Sequence, residues 1–174
     1  MNFKSRNLRE LAAMVVGDKA HFRYRSSSFI TQFFDDCDLD FTHDGSTRWS
    51  WTSGRLAELL AEPQSAPHTL PVRFMQLLRV LMDKSDVIDG DPERELALAC
   101  LNVPLGREGY AAYYGDDNLI YVHHVETKTL CIALNPHRPF TPNERKRRVA
   151  LEGFLDTCSE DQLIEEILLP LFRQ

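Results

Sequence analysis

Between Leu8 and Leu101 the apolar residues recur three and four positions apart, and beyond Tyr110 that rhythm gives way to short aromatic and β-branched runs. A 3.6-residue period gathers such positions on one face of a helix, whereas a period of two suits a strand. The switch restricts the chain to an α+β fold that is mainly helical. We expect a bundle of about five helices, then a small β-hairpin or meander, then two C-terminal helices.

Each stripe has its own boundary signals. Leu8, Leu11, Ala12, Val15 and Val16 follow Ser5, and Gly17 offers a left-handed C-terminal cap. Phe29, Ile30, Phe33 and Phe34 form a second stripe, expected to lie wholly in the core, and the hydroxyls of serines 26–28 can accept its first-turn N–H groups. After the turn-rich stretch 35–45, Ser46 or Thr47 can cap a third helix bearing Trp49, Leu56, Leu59 and Leu60, which prolines 63 and 67 end. Thr69 and Pro71 suit the start of a fourth, with Phe74, Leu77, Leu78 and Leu81. Asp89-Gly90-Asp91-Pro92 supplies a turn, a cap and a first-turn proline for a fifth helix through Leu96, Ala97, Cys100 and Leu101. Pro104 is expected to end or kink it.

Residues 110–114, 119–123 and 129–134 read as strands separated by turns at 115–118 and 125–128. We expect residues 1–135 to form one domain and the prolines at 136, 139 and 142 to mark a linker over 136–142. Residues 143–174 should hold two helices, opened by the capping boxes Thr141-Pro142-Asn143-Glu144 and Ser159-Glu160-Asp161-Gln162. The apolar run 168–172, so close to Gln174, is expected to lead toward a further domain.

The chain has 174 residues, of which 43% are hydrophobic and 26% charged, ordinary values for a globular domain and not for a disordered or repetitive one. A net charge of −6 opposes nucleic-acid binding by the surface as a whole. No apolar signal segment opens the chain, and no apolar run approaches the ~20 residues that cross a bilayer. Cys37, Cys100, Cys131 and Cys158 form no C-x-x-C pair, so we expect reduced thiols in a cytoplasmic chain without membrane contact.

Three segments carry chemical character. In Phe22-Arg23-Tyr24-Arg25-Ser26, arginines alternate with aromatics ahead of a helix N-terminus, where a phosphate or carboxylate could sit. The competing reading pairs Arg23 and Arg25 with the acidic stretch 35–44 as a purely structural network. In His43-Asp44-Gly45-Ser46-Thr47-Arg48-Trp49-Ser50-Trp51, the tryptophans lie about 200° apart around a helix, so both cannot enter one core face. One should stand at an interface or stack on a ligand, unless the second packs under the preceding loop. Arg145, Lys146, Arg147 and Arg148, with Arg138 nearby, make a basic cluster offset only by Glu144, and without it the remainder stands at about −10. That asymmetry suits phosphate contact or, more plainly, a solvated helix face.

Catalytic constellations are weak. Asp116 and Asp117 with Glu126-x-Lys128 have the residue types of a metal-dependent nuclease, but Glu126 and Lys128 fall in an expected hairpin turn. Adjacent His123 and His124 should point to opposite faces of a strand, which disfavours joint metal ligation. No Walker loop, G-x-S-x-G or G-x-G-x-x-G occurs. We therefore expect no catalytic residues, no metal and no cofactor.

The phrases Phe22-Arg23-Tyr24-Arg25-Ser26, Phe33-Phe34-x-x-Cys37, His43-Asp44-Gly45-Ser46-Thr47-Arg48-Trp49, Leu81-Met82-Asp83-Lys84 and Arg107-Glu108-Gly109-Tyr110 resemble, in order and wording, the AbiJ-type N-terminal domains of bacterial abortive-infection proteins. The likeness spans about residues 20 to 134. Residues 159–172 are similar to the first helix of restriction-endonuclease-like domains that follow such modules. The resemblance implies a sensor or regulator placed ahead of an effector in one polypeptide, responding to a phage-derived or nucleic-acid trigger, with a homodimer also allowed. Arg23, Tyr24, Arg25, His43, Asp44, Arg48 and Trp49 are then the expected ligand-binding residues. A winged-helix-like nucleic-acid-binding module, using Arg138 and residues 145–148, is the alternative.

Overall fold

A computed structural model of the chain describes residues 3–83 and 91–131, the side chains of residues 91 and 92 excepted. The chain divides into two units, Met1–Pro136 and His137–Gln174, and every described residue belongs to the first. Both expected C-terminal helices and the basic cluster at 138 and 145–148 lie outside the described residues.

The architecture is α+β and mainly helical. In chain order come α1 (Ser5–Val16), α2 (Ser27–Asp36), α3 (Arg48–Ala61), α4 (Val72–Leu81), α5 (Asp91–Gly106), β1 (Tyr110–Tyr114), β2 (Ile120–His124) and β3 (Leu130–Cys131). The strands form one antiparallel meander in the order β1-β2-β3, with Ala112 opposite Val122 and Val122 opposite Cys131. α1 packs on α3 and α5, and α5 in turn packs on β1. Their shared core contains Leu11, Val15, Phe34, Leu56, Phe74, Leu101, Tyr110 and Val122.

Helix ends follow local chemistry in some places and tertiary chemistry in others. Gly17 sits at φ 76° and closes α1, with its N–H on the Met14 carbonyl (3.1 Å) and the Asp18 N–H on the Ala13 carbonyl (2.8 Å), a Schellman ending. At the other end Lys4 offers no side-chain cap. Instead the Glu108 carboxylate, about a hundred residues away, accepts the Lys4 N–H (2.8 Å) and the Asn7 side-chain amide. A carboxylate there also suits the positive end of the helix dipole.

Three expectations require correction. Phe29 is 53% exposed, so the second stripe is not wholly core; only Ile30, Phe33 and Phe34 are buried. A helix ten residues long presents too narrow a face to sink four large side chains that span two adjacent columns. Ser26 occupies the N-cap position of α2 without a side-chain cap bond, its hydroxyl lying 3.1 Å from that of Ser28. Pro104 does not end α5, which runs to Gly106. Its missing N–H falls in the last turn, and buried Leu101 and Leu105 on either side hold the helix to the core.

The sheet is tied to the helices by side chains acting as backbone. Asn102 of α5 donates to the Ala112 carbonyl (3.0 Å) and accepts the Ala112 N–H (2.7 Å), serving as a partner for edge strand β1. The Tyr114 hydroxyl donates to the Met82 carbonyl (2.9 Å). Tyr110, the first residue of β1, is buried, and burial, with Cys131 beside it, pushes its hydroxyl pKa up to about 12.

Candidate functional site

The C-terminus of α1, the loop 17–26 and the first turn of α3 meet in a joint built from two arginines. Gly17 makes the meeting close: a β-carbon there would lie 2.1 Å from the Arg23 carbonyl oxygen and 2.3 Å from the Tyr24 Cα. The returning loop gives the Arg25 N–H to the Val16 carbonyl (3.0 Å). The Arg25 side chain, only 5% exposed, then donates through Nη1 to the Val15 carbonyl (2.8 Å) and the Arg23 carbonyl (3.2 Å), and its guanidinium lies 4.4 Å over the Phe33 ring. Arg48 donates from Nη1 to the Arg25 carbonyl (2.6 Å) and from Nη2 to the Asp18 carboxylate (2.8 Å). Cations are favoured at this negative end of α1, where carbonyls lack helical donors.

The phrase around His43 is also shaped by local bonding. Asp44 accepts the Ser46 N–H (2.9 Å), and hydrogen bonds from the Ser46 side chain and backbone hold its carboxyl below the usual range. Gly45, at φ 85°, gives its N–H to His43 Nδ1 (3.0 Å). Nδ1 is therefore an acceptor and the hydrogen of the neutral ring resides on Nε2. The His43 backbone N–H rests on the Thr31 hydroxyl (3.0 Å), and its ring sits 4.9 Å from that of Trp51. Trp51 also meets Phe34 edge-on at 5.5 Å. The second tryptophan thus packs under the preceding loop, one of the two arrangements its spacing allowed.

Trp49 faces the other way. It is 40% exposed, and the Arg9 guanidinium lies 5.5 Å from its ring centroid. Tyr24 is 62% exposed with the Arg48 guanidinium 4.5 Å over its ring. Ser53 donates to the Leu8 carbonyl (3.5 Å) while Arg48 reaches the end of α1, so α1 and α3 run antiparallel, with Arg9 of α1 over Trp49 of α3 and Arg48 of α3 over Tyr24 of the loop after α1. Arg23 beside Tyr24, Lys19 beside Asp18 and Arg6 one turn before Arg9 are all exposed. Residues 1–28 hold six lysines and arginines against Glu10 and Asp18 alone, and those two acids are paired with Arg107 (2.7 Å) and Arg48.

The expected ligand-binding residues therefore separate. Arg23, Tyr24 and Trp49 lie at the surface, Arg48 joins surface to interior, and Arg25, His43 and Asp44 are engaged in the fold's own hydrogen bonds. Sequence reasoning missed Arg9. Its only signal is a place on the polar side of the first helix, a property it shares with its neighbours.

Acidic and lysine residues of the nuclease-like pattern are not brought together. Asp116 and Asp117 occupy the turn before β2 and Glu126 and Lys128 the turn after it, so the five residues of β2 separate them by on the order of 20 Å. Asp117 accepts the Tyr121 hydroxyl (2.7 Å) and the Leu119 N–H (3.0 Å), which lowers its pKa. Lys128 adopts φ 57° in a turn, and it and Glu126 are exposed. His124 packs 4.7 Å from His68 and 5.3 Å from Tyr110, whereas His123 lies 5.7 Å from Tyr113 on the opposite face. Among the described residues no group of three or more His, Cys, Asp or Glu side chains could hold a metal ion, and no helix is long and apolar enough to cross a membrane.

An open groove of about 660 Å³ lies between α2 and the following loop, lined by Thr31, Gln32, Asp35, Asp38, Asp40 and Thr42 among others. Its lining is acidic, opposite in sign to the arginines over Tyr24 and Trp49. Compared with known proteins, the chain matches no family model, no curated protein and no solved structure.

Proposed function

We propose that the chain is a non-catalytic sensor and regulatory domain of a cytoplasmic bacterial anti-phage defence protein, one that recognises a trigger and controls an effector in the same polypeptide. The observation that carries this reading is the face formed by Tyr24, Arg48, Trp49 and Arg9, two exposed aromatic rings each backed by a guanidinium. Exposed tryptophan, tyrosine and arginine in one place are the residue types that dominate recognition surfaces. The likeness of the same phrases to AbiJ-type domains supplies the biological setting.

Regulation would run through Arg48. One guanidinium covers the Tyr24 ring and also holds the Arg25 carbonyl and the Asp18 carboxylate, so a ligand that moves Tyr24 acts on the α1–α3 joint. The ligand must bind one arrangement of that joint more tightly than the other to shift the balance between them. The hairpin turns give the winged-helix alternative little support, because they present Asp116, Asp117 and Glu126 against Lys128, the wrong sign for a wing meeting phosphates.

The test is phage challenge of cells carrying the protein. Trp49→Ala combined with Tyr24→Ala should abolish protection while the purified variant keeps its helical circular dichroism and melting temperature. Undiminished protection from a normally folded double variant would remove this face from the function.

A further inference from the structure

We infer that the Tyr24–Trp49 face binds single-stranded nucleic acid, with bases stacked on the two rings and phosphates met by the arginines around them. This rests on the reading of the face as the recognition surface and adds the chemistry of what is recognised. Single strands are held by aromatic platforms interleaved with cations that track the backbone. Both elements are present: the Tyr24 and Trp49 rings are exposed, with Arg48 and Arg9 over them, and Arg6, Lys19 and Arg23 are exposed along α1 and the loop that follows it.

Three observations favour a nucleic acid over a protein partner. The charge leans basic: residues 1–28 hold six lysines and arginines against Glu10 and Asp18, both ion-paired, and α3 has no acid before Glu58, leaving exposed Asp44 ahead of Arg48 as the acid to set against them. The apolar area is two separate rings flanked by exposed Ser50 and Gly54, without the contiguous apolar centre that a stable protein interface requires. Each ring is also held by a guanidinium, 5.5 Å from Trp49 and 4.5 Å from Tyr24, which lowers the ordering cost of stacking on its exposed part. A duplex offers no unstacked bases to such rings, so single strands should be preferred.

Trp49 provides its own reporter. The chain has two tryptophans, and Trp51→Phe leaves Trp49 as the sole indole with an aromatic ring still against Phe34. Titrating the Trp51→Phe protein with a twelve-nucleotide oligouridylate or oligothymidylate at low salt should quench its fluorescence, and a duplex of equal length should quench it far less. In a labelled-oligonucleotide assay on the otherwise unchanged chain, Trp49→Ala or Tyr24→Ala should each weaken binding roughly 5- to 160-fold, the range for loss of one stacked base. Three or four phosphate contacts imply that log Kd rises by about 2 to 3 per tenfold increase in salt. Replacing Arg145, Lys146, Arg147 and Arg148 by Gln should leave the Trp49 quench in place.

No quench at low salt, equal binding of duplex and single strand, or affinity untouched by Trp49→Ala and Tyr24→Ala would each overturn the assignment. Loss of phage protection in the Tyr24 and Trp49 variants without any oligonucleotide binding would overturn the ligand class yet leave the recognition face standing. Unchanged protection alongside clear oligonucleotide binding would do the reverse.

Discussion

Arg25 and Trp49 come from the two sequence phrases with the most chemical character, and they have opposite fates. The joint beneath the surface holds Arg25, its guanidinium spent on the carbonyls of Val15 and Arg23. The face above it holds Tyr24 and Trp49, whose rings make no comparable commitment. Alternation along the chain accounts for the split: Tyr24 and Arg25 point apart on an extended segment, and Trp49 and Trp51 point apart on a helix. Two residues of separation decide whether an aromatic serves as a wall of the core or as a surface available to a ligand.

Substitutions should expose that difference as a gradient. The largest effect is expected at Gly17→Ala, which combines a left-handed residue with a β-carbon 2.1 Å from the Arg23 carbonyl oxygen. A loss of about 3 kcal/mol or more follows from those two penalties together, read as a large fall in the urea midpoint. Arg25→Ala should cost about 2–4 kcal/mol by leaving buried carbonyls without donors, with Arg25→Lys in between. If Arg25→Ala melted like the unaltered protein, the Arg25 guanidinium would not be what ties the returning loop to the end of α1.

Next in size is a core effect that calibrates the others. The Tyr110 hydroxyl titrates near 12 in the folded chain against about 10 when unfolded, so the folded state retains the proton in that interval. Its stabilising contribution, on the order of 2 kcal/mol, is complete below pH 10 and is lost as pH rises toward 12. Melts between pH 9 and 12 should show the decline, and Tyr110→Phe should flatten it. Burial also raises the Tyr114 and Cys131 values, so a remnant of the slope should persist.

The tryptophan pair gives the sharpest contrast for the smallest perturbation. Trp51→Ala should cost about 2 kcal/mol through lost packing on Phe34 and His43. Trp49→Ala, at the surface, should stay within about 0.5 kcal/mol. Equal losses at the two positions would merge face and joint into a single structural element.

Much of the fold was legible beforehand because it depends on local rules. Helical periodicity located the five helices of the described residues, Gly17 marked the end of the first, and Gly115-Asp116-Asp117-Asn118 marked a hairpin turn. Phe29 misled because periodicity reports which residues share a side of a helix, not how much of that side finds a partner. Of the two effects expected of Pro104, ending or kinking the helix, an end at the proline itself is not seen, because α5 continues two residues to Gly106 with Leu101 and Leu105 held by the core. The candidate face was half legible: Tyr24, Arg23, Arg48 and Trp49 stood out, but Arg9 belongs to it only because α3 lies antiparallel across α1.

By itself the sequence determined the element types, the left-handed glycine that ends α1 and the sign of each charged stretch, since these follow from side-chain spacing, glycine's freedom and composition. Only the tertiary structure decided that Glu108 caps α1, that Asn102 completes the edge of β1, and that Arg25 is buried while Trp49 is exposed. Those outcomes join residues ten to a hundred positions apart. Such partners are chosen by the satisfaction of buried polar groups across the whole core, a condition that no local window of sequence contains.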